Sequence, residues 1–202
     1  MAQAEQYFAA EPQSKDVRKT LHVTLRGNEA DVEVSNGVFS GNRVDLGTSV
    51  LLRQAPEPPE EGTFLDLAAV GGQSRWRWAS LRRRRTSGVD VNERALELTR
   101  RNAELNSMGN IHAATADGIP AETTFDLIWS NPPIRVGKEV LHTLLMTWLP
   151  RLNAGGAAYL VVQKNLGSDS LIPWLATQLG DGYEVSKYAS SKGFRVIEVM
   201  KA

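Results

Sequence analysis

Phe125-Asp126-Leu127-Ile128-Trp129-Ser130-Asn131-Pro132-Pro133-Ile134 carries an apolar run straight into an asparagine followed by two prolines. Each proline fixes its own φ and biases the residue before it toward extended geometry. Asn131 is therefore predicted to sit rigidly at a strand end. Its amide oxygen, together with the carbonyl of Pro132, can accept hydrogen bonds from one amino group. A planar exocyclic NH2 held by two acceptors can turn its nitrogen lone pair toward an electrophile. A proline-stiffened turn is the plainer alternative, and the flanking sequence decides between the two.

Outward from this stretch the chain alternates strand and helix. Residues 137–152 read as a helix, with Val140, Leu141, Leu144, Leu145 and Leu149 at helical spacing. Gly155-Gly156 is expected to end it, and residues 158–162 to return as a strand. A helix is predicted over 168–179, then strands over 183–188 and 194–200 around Lys192-Gly193. Upstream, residues 111–114 read as a strand ending at Asp117-Gly118. Asn92 is a candidate N-cap for a helix from Glu93 to about Asn106, with Ala95, Leu98 and Leu105 facing inward. Residues 88–91 and 63–67 read as strands. The proline-rich stretch 55–62 is a linker, and Val50-Leu51-Leu52 marks a short helix. Residues 20–26 and 30–34 alternate in strand fashion around Gly27-Asn28, a hairpin signal.

Alternating β and α units imply a parallel sheet covered on both faces. The expectation is an α/β, Rossmann-like seven-stranded sheet with a C-terminal antiparallel strand pair and a small N-terminal β-hairpin. Residues 1–54 are read as the hairpin-and-helix extension and 55–202 as the main domain. Ligands in such sheets bind at the carboxyl ends of the strands. Asp66, Asp90, Asp117 and Asn131 all fall at or near those ends.

Bulk composition sets outer limits. The 202 residues suffice for one large domain with a small appendage, and 42% are hydrophobic. No apolar run reaches membrane-spanning length and no signal-peptide pattern opens the chain, so a cytoplasmic protein without a membrane partner is expected. There is no cysteine, and His22, His112 and His142 lack ligand spacing, so no metal is expected. The formal net charge of zero hides an asymmetry. Arg75, Arg77, Arg82, Arg83, Arg84 and Arg85 crowd into residues 68–87, which hold no acid; without them the balance is 17 basic residues to 23 acidic.

Taken together these segments resemble the class I S-adenosylmethionine-dependent methyltransferases, and most closely the ribosomal RNA guanine-N2 methyltransferases with an RsmC-like small-methyltransferase domain. The stretch from Phe125 to Lys138 looks like that family's catalytic motif. Residues 37–40 and 45–52 resemble its segment before the first core strand. Residues 88–92 are similar to the motif whose acid binds the ribose hydroxyls, and 116–118 to the adenine-contacting motif. The resemblance implies S-adenosyl-L-methionine as cofactor, held by Asp66, Asp90, Val91, Asp117, Gly118 and Asn131. It implies a catalytic set of Asn131, Pro132, Pro133 and Ile134, with Ile134 as an apolar surface for the base. Arg135 and Lys138 are candidate contacts to RNA phosphates. The implied reaction is methylation of an exocyclic amine, guanine N2 of ribosomal RNA first, with RNA as partner. Adenine N6 and a protein glutamine share the signature, although their enzymes usually carry Tyr or Phe where this chain has Ile134.

The pattern breaks at residues 68–87. A glycine-rich turn of the form Gly-x-Gly-x-Gly is expected after Leu67, followed by an apolar helix; the glycines let the backbone approach the cofactor closely. The chain instead places six arginines and two tryptophans there. Burying unpaired guanidinium groups is costly. A nucleotide string that encodes residues 68–87, with suitable wobble bases, gives GCGWGPIALALGLAAAAPDVW when read one phase over. That string holds the missing glycines, an apolar helix and the lead into the next strand. A frameshifted segment is therefore expected, with weak or absent cofactor binding and reduced stability in the chain as written. The competing readings are an RNA-binding basic segment and a non-catalytic methyltransferase relic.

Overall fold

The computed structural model describes residues 15–25, 28–35, 45–67, 84–90, 92–133 and 137–202. The arginine- and tryptophan-bearing residues 68–83 lie outside them, as do Val91, Ile134 and Arg135. Strands β1 (Arg18–Leu25) and β2 (Asn28–Ser35) form an antiparallel hairpin. Leu25 is paired with Asn28, so Asn28 belongs to β2 and not to the turn at which the alternation placed it. Helix α1 (Leu46–Gln54) follows, then β3 (Gly62–Leu67) and β4 (Arg84–Val89). Helix α2 (Glu93–Leu105) leads to β5 (Ile111–Ala114) and β6 (Phe125–Ser130). Helix α3 (Lys138–Trp148), β7 (Leu152–Gln163), α4 (Ser168–Leu179), β8 (Tyr183–Ser191) and β9 (Phe194–Lys201) complete the order.

Seven strands make one sheet in the order β5-β4-β3-β6-β7-β9-β8. Neighbours from β5 to β7 pair in parallel, and β9 runs antiparallel to both β7 and β8. This is the expected Rossmann-like sheet with its closing strand pair. The hairpin turn at Lys192-Gly193 has φ of 48° and 82°, the paired positive values that match strand twist in a two-residue turn.

Strand alternation sends side chains to two cores. On one face Leu65, Leu67, Ile128, Leu160 and Val162 pack with Leu141, Leu145 and Trp148 of α3 and Leu171 and Leu175 of α4. On the other, Phe64, Leu127, Trp129, Tyr159 and Val161 pack with Val50, Leu51 and Leu52 of α1. Each such fully buried side chain contributes about 1.5–3 kcal/mol, so α1 is pinned firmly behind the sheet.

Several expected boundaries move. Strand β4 starts four residues before Gly88 and ends at Val89, leaving Asp90 just beyond it. Helix α3 stops at Trp148, because Leu149-Pro150-Arg151 tightens into a 3-10 turn. Gly155-Gly156 does not end a helix; it lies within β7, where the pairing with β6 shifts between Phe125 and Leu127. A Cβ on Gly156 would stand 2.9 Å from the Asn153 carbonyl and 3.0 Å from that of Phe125, so the bulge needs a residue without one. Val140 and Leu105, expected inside, are 55% and 46% exposed. Leu96 and Leu98 fill the α2 core, and Asn102 turns to the hairpin instead.

That contact closes the edge of β2. Asn102 Oδ1 accepts from the Glu33 amide at 2.7 Å, and its Nδ2 donates to the Glu33 carbonyl at 2.9 Å. One turn on, Asn106 repeats both bonds with Asp31, at 3.3 and 2.9 Å. Two side-chain amides thus occupy backbone groups that an exposed edge would leave unpaired.

Candidate functional site

The parallel strands β5, β4, β3 and β6 end along one edge of the sheet, and the candidate residues line up there in that order. Asp117 lies in the 3-10 turn after β5. Asp90 follows β4, Asp66 is the penultimate residue of β3, and Asn131 follows β6. Ser130 donates from Oγ to the Leu67 carbonyl at 2.9 Å, buried, and ties the ends of β3 and β6 together. Asp126 belongs to the opposite end. Its carboxylate accepts from the Thr63 amide and from Asn153 Nδ2, each at 2.7 Å, and joins three strands.

The three acids differ in setting. Asp66 is buried, at 2% exposure, with Gly88 and Trp129 as its register neighbours. Asp90 is half-buried and accepts the Asn92 amide at 2.9 Å, which turns the chain into α2. Asn92 is the expected N-cap, accepting from the Ala95 amide at 3.2 Å. Asp117 and Gly118 are exposed. A hydrogen bond from Thr115, followed by backbone amides of the turn, holds the Asp117 carboxyl below its ordinary value.

Asn131 is half-buried between buried Pro132 and Ser130. Its Nδ2 donates to Asp45 Oδ2 at 2.8 Å and to Thr48 Oγ1 at 3.1 Å. The same Asp45 oxygen accepts the Thr48 amide at 3.0 Å, which makes Asp45 the N-cap of α1. Gly47, in the first turn of α1, lies against both the Asn131 side chain and the ring of Phe194 at the start of β9. Asp45, Gly47, Thr48 and Phe194 were absent from the expected site. Asp45 three residues ahead of Thr48, before an apolar run, is a capping pattern. No local pattern signals its reach to Asn131.

Lys138 is exposed at the first position of α3. Among the described residues no group of His, Asp and Glu could hold a metal ion, and no helix is long and apolar enough to cross a membrane. An open cavity of about 460 Å³ lies between α2 and β5, lined by Glu93, Arg100, His112 and Thr115 among others. It borders the Asp117 turn but does not include Asn131.

The sequence pattern of the methyltransferase small domain matches residues 29–198. The uncharacterized Bacillus subtilis protein YbxB is 35% identical over 202 residues, covering 98% of this chain and 99% of that protein. Ribosomal RNA small subunit methyltransferase C of Pseudomonas aeruginosa is 31% identical over 191 residues, covering 87% of this chain and 56% of that protein. Among solved structures, the T. thermophilus 16S rRNA N2 methyltransferase RsmC, in complex with AdoMet and guanosine, superposes with a TM-score of 0.79 at 23% identity. That match covers 95% of this chain and 52% of that one. The chain thus spans about half the length of these ribosomal RNA methyltransferases.

Proposed function

The chain belongs to the methyltransferase small domain family of S-adenosylmethionine-dependent enzymes, and from that premise we propose that it methylates the N2 amine of a guanine in ribosomal RNA. The observation that carries the reading is the orientation of Asn131. With its nitrogen engaged by Asp45 and Thr48, its oxygen is the end that remains to accept from an amine. The solved relative with guanosine and AdoMet bound supports guanine N2 as the target.

S-adenosylmethionine supplies an electrophilic methyl group when bound. Asp90 and Asp117 offer carboxylates at adjacent strand ends, the acceptors that a ribose diol and an adenine amine need. Asp66, at the first core strand, is assigned to the cofactor, as are Val91 and Gly118. The turn expected against the methionine part falls in residues 68–83, outside the described residues. Asn131 Oδ1 and the Pro132 carbonyl hold the two N–H groups of the amine, Pro133 stiffens the loop, and Ile134 is assigned to the base. Held in this way, the amine would keep its nitrogen lone pair free for the methyl group that bound S-adenosylmethionine would supply, and its displaced proton would pass to water. Positioning supplies the rate, with no covalent enzyme intermediate. A target within a duplex has to be flipped out, and Arg135 and Lys138 are assigned to its phosphates.

The test is incubation of the purified chain with methyl-labelled S-adenosylmethionine and small-subunit ribosomal RNA, followed by nucleoside mass spectrometry. N2-methylguanosine is expected. Label on adenine N6, or on a protein glutamine offered beside the RNA, replaces the substrate; cofactor binding without transfer to any of them points to the relic.

A further inference from the structure

The two ends of an asparagine amide are nearly equal in shape and opposite in chemistry, so a site that depends on one end has to forbid the flip. We propose that Asp45, with Thr48, is a positioning residue that locks the amide of Asn131 with its oxygen toward the substrate amine. This rests on the methyl-transfer reading above.

A carboxylate only accepts hydrogen bonds. Asp45 Oδ2 lies 2.8 Å from Asn131 Nδ2, so a flipped amide would set oxygen against oxygen at that distance. The Thr48 hydroxyl, 3.1 Å away, can donate or accept and so reinforces the geometry without choosing it. The choice therefore belongs to Asp45. Its own place is fixed by the helix it caps, which is held by buried Val50, Leu51 and Leu52. Gly47 lets that first turn close on the amide: a Cβ there would stand 3.1 Å from Asn131 Oδ1 and 3.1 Å from Phe194 Cε1. A charged acceptor on the amide nitrogen also polarises the group and strengthens its oxygen as an acceptor. The first helix thus serves the chemistry through the amide of Asn131.

The test uses the full chain with Asp45→Ser, Asp45→Asn and Thr48→Val, each with Asn131 intact and with Asn131→Ala. Serine caps a helix about as well as aspartate, so Asp45→Ser keeps α1 while removing the carboxylate. Three quantities are read: the Asn131 side-chain amide resonances, the cofactor dissociation constant by calorimetry, and single-turnover methyl transfer to in vitro transcribed small-subunit ribosomal RNA. Asp45→Ser is expected to move the Asn131 resonances, slow transfer by about 10–100-fold and leave cofactor affinity unchanged. It should cause no further loss when Asn131 is alanine. Asp45→Asn is expected to rescue most of the rate, because one oxygen can still accept both bonds. Thr48→Val should cost less than Asp45→Ser. Unmoved Asn131 resonances, or equal slowing with and without Asn131, would overturn the proposal. If the parent chain binds cofactor and transfers nothing while the resonances still respond to Asp45→Ser, the substrate reading falls and the amide lock stands.

Discussion

Asn131 Nδ2 donates to Asp45 Oδ2 across 86 positions of sequence. The bond joins the end of a central strand to the cap of a helix on one face of the sheet. It ties the Asn131 side chain to the first helix as well as to its own strand. Asn131→Ala is expected to lower methyl transfer by on the order of 10²–10³-fold, the usual loss when one preorganised hydrogen-bonding group is removed from a reacting centre. Thermal unfolding should change little, because the residue is only half-buried. Rate and melting temperature measured on one preparation check this.

Asn102→Ala should loosen the hairpin. The change removes both bonds to the Glu33 backbone from a residue that is 1% exposed. The cost should be about 1–3 kcal/mol, since a half-buried backbone amide and carbonyl lose their partner. Chemical denaturation gives the energy, and hydrogen exchange at the Glu33 amide should quicken. An unchanged Glu33 amide would contradict the edge-closing role.

Thr86 is 1% exposed, and its hydroxyl has no hydrogen-bond partner among the described residues. Its backbone is a regular part of β4, with the amide on the Asn110 carbonyl at 3.1 Å. The alternate-phase string, aligned from its carboxyl end, puts valine at this position. Valine has the same shape without the hydroxyl, so Thr86→Val should stabilise the chain by about 1 kcal/mol. Replacing all of residues 68–87 by the alternate string should raise both the melting temperature and the cofactor affinity. The gene's nucleotide sequence and the intact protein mass test the frameshift itself; an in-frame gene across the region ends that idea.

His22 gives the hairpin a pH dependence. Its Nδ1 lies 2.8 Å from Asp31 Oδ1, and that hydrogen bond, with the carboxylate charges of Asp31 and Glu29, raises its pKa above the ordinary 6.5. A raised folded value means that the stabilisation is complete below the unfolded pKa and fades as pH rises through the folded one. The midpoint of the His22 ring titration by NMR should exceed 6.5 and fall on Asp31→Asn. A midpoint at or below 6.5 in the parent chain would refute the pairing.

Strand β6 and Asn131 were legible because an apolar run meeting two prolines leaves the backbone little choice. The alternating β and α units gave away the parallel sheet, and Asn92 its helix start, for similarly local reasons. The inward faces were harder. Helical spacing marks a stripe that includes Val140 and Leu105, yet which residues of the stripe meet the core depends on where the sheet lies. Asn102 and Asn106 read as surface polars until the hairpin edge they cover is in place. The glycines at 155 and 156 read as a helix stop, because a bulge forced by the carbonyls of Phe125 and Asn153 is a tertiary event. Asp45 was visible as part of a motif, but its bond to Asn131 exists only once α1 is docked behind β6.

The most direct measurement is nucleoside mass spectrometry of small-subunit ribosomal RNA after incubation with deuteromethyl-labelled S-adenosylmethionine and either the parent chain or Asn131→Ala. Labelled N2-methylguanosine with the parent and its near-absence with the variant is the predicted result. Label that forms equally well without Asn131, or that sits on a ring carbon or ribose oxygen instead of an exocyclic amine, would contradict it.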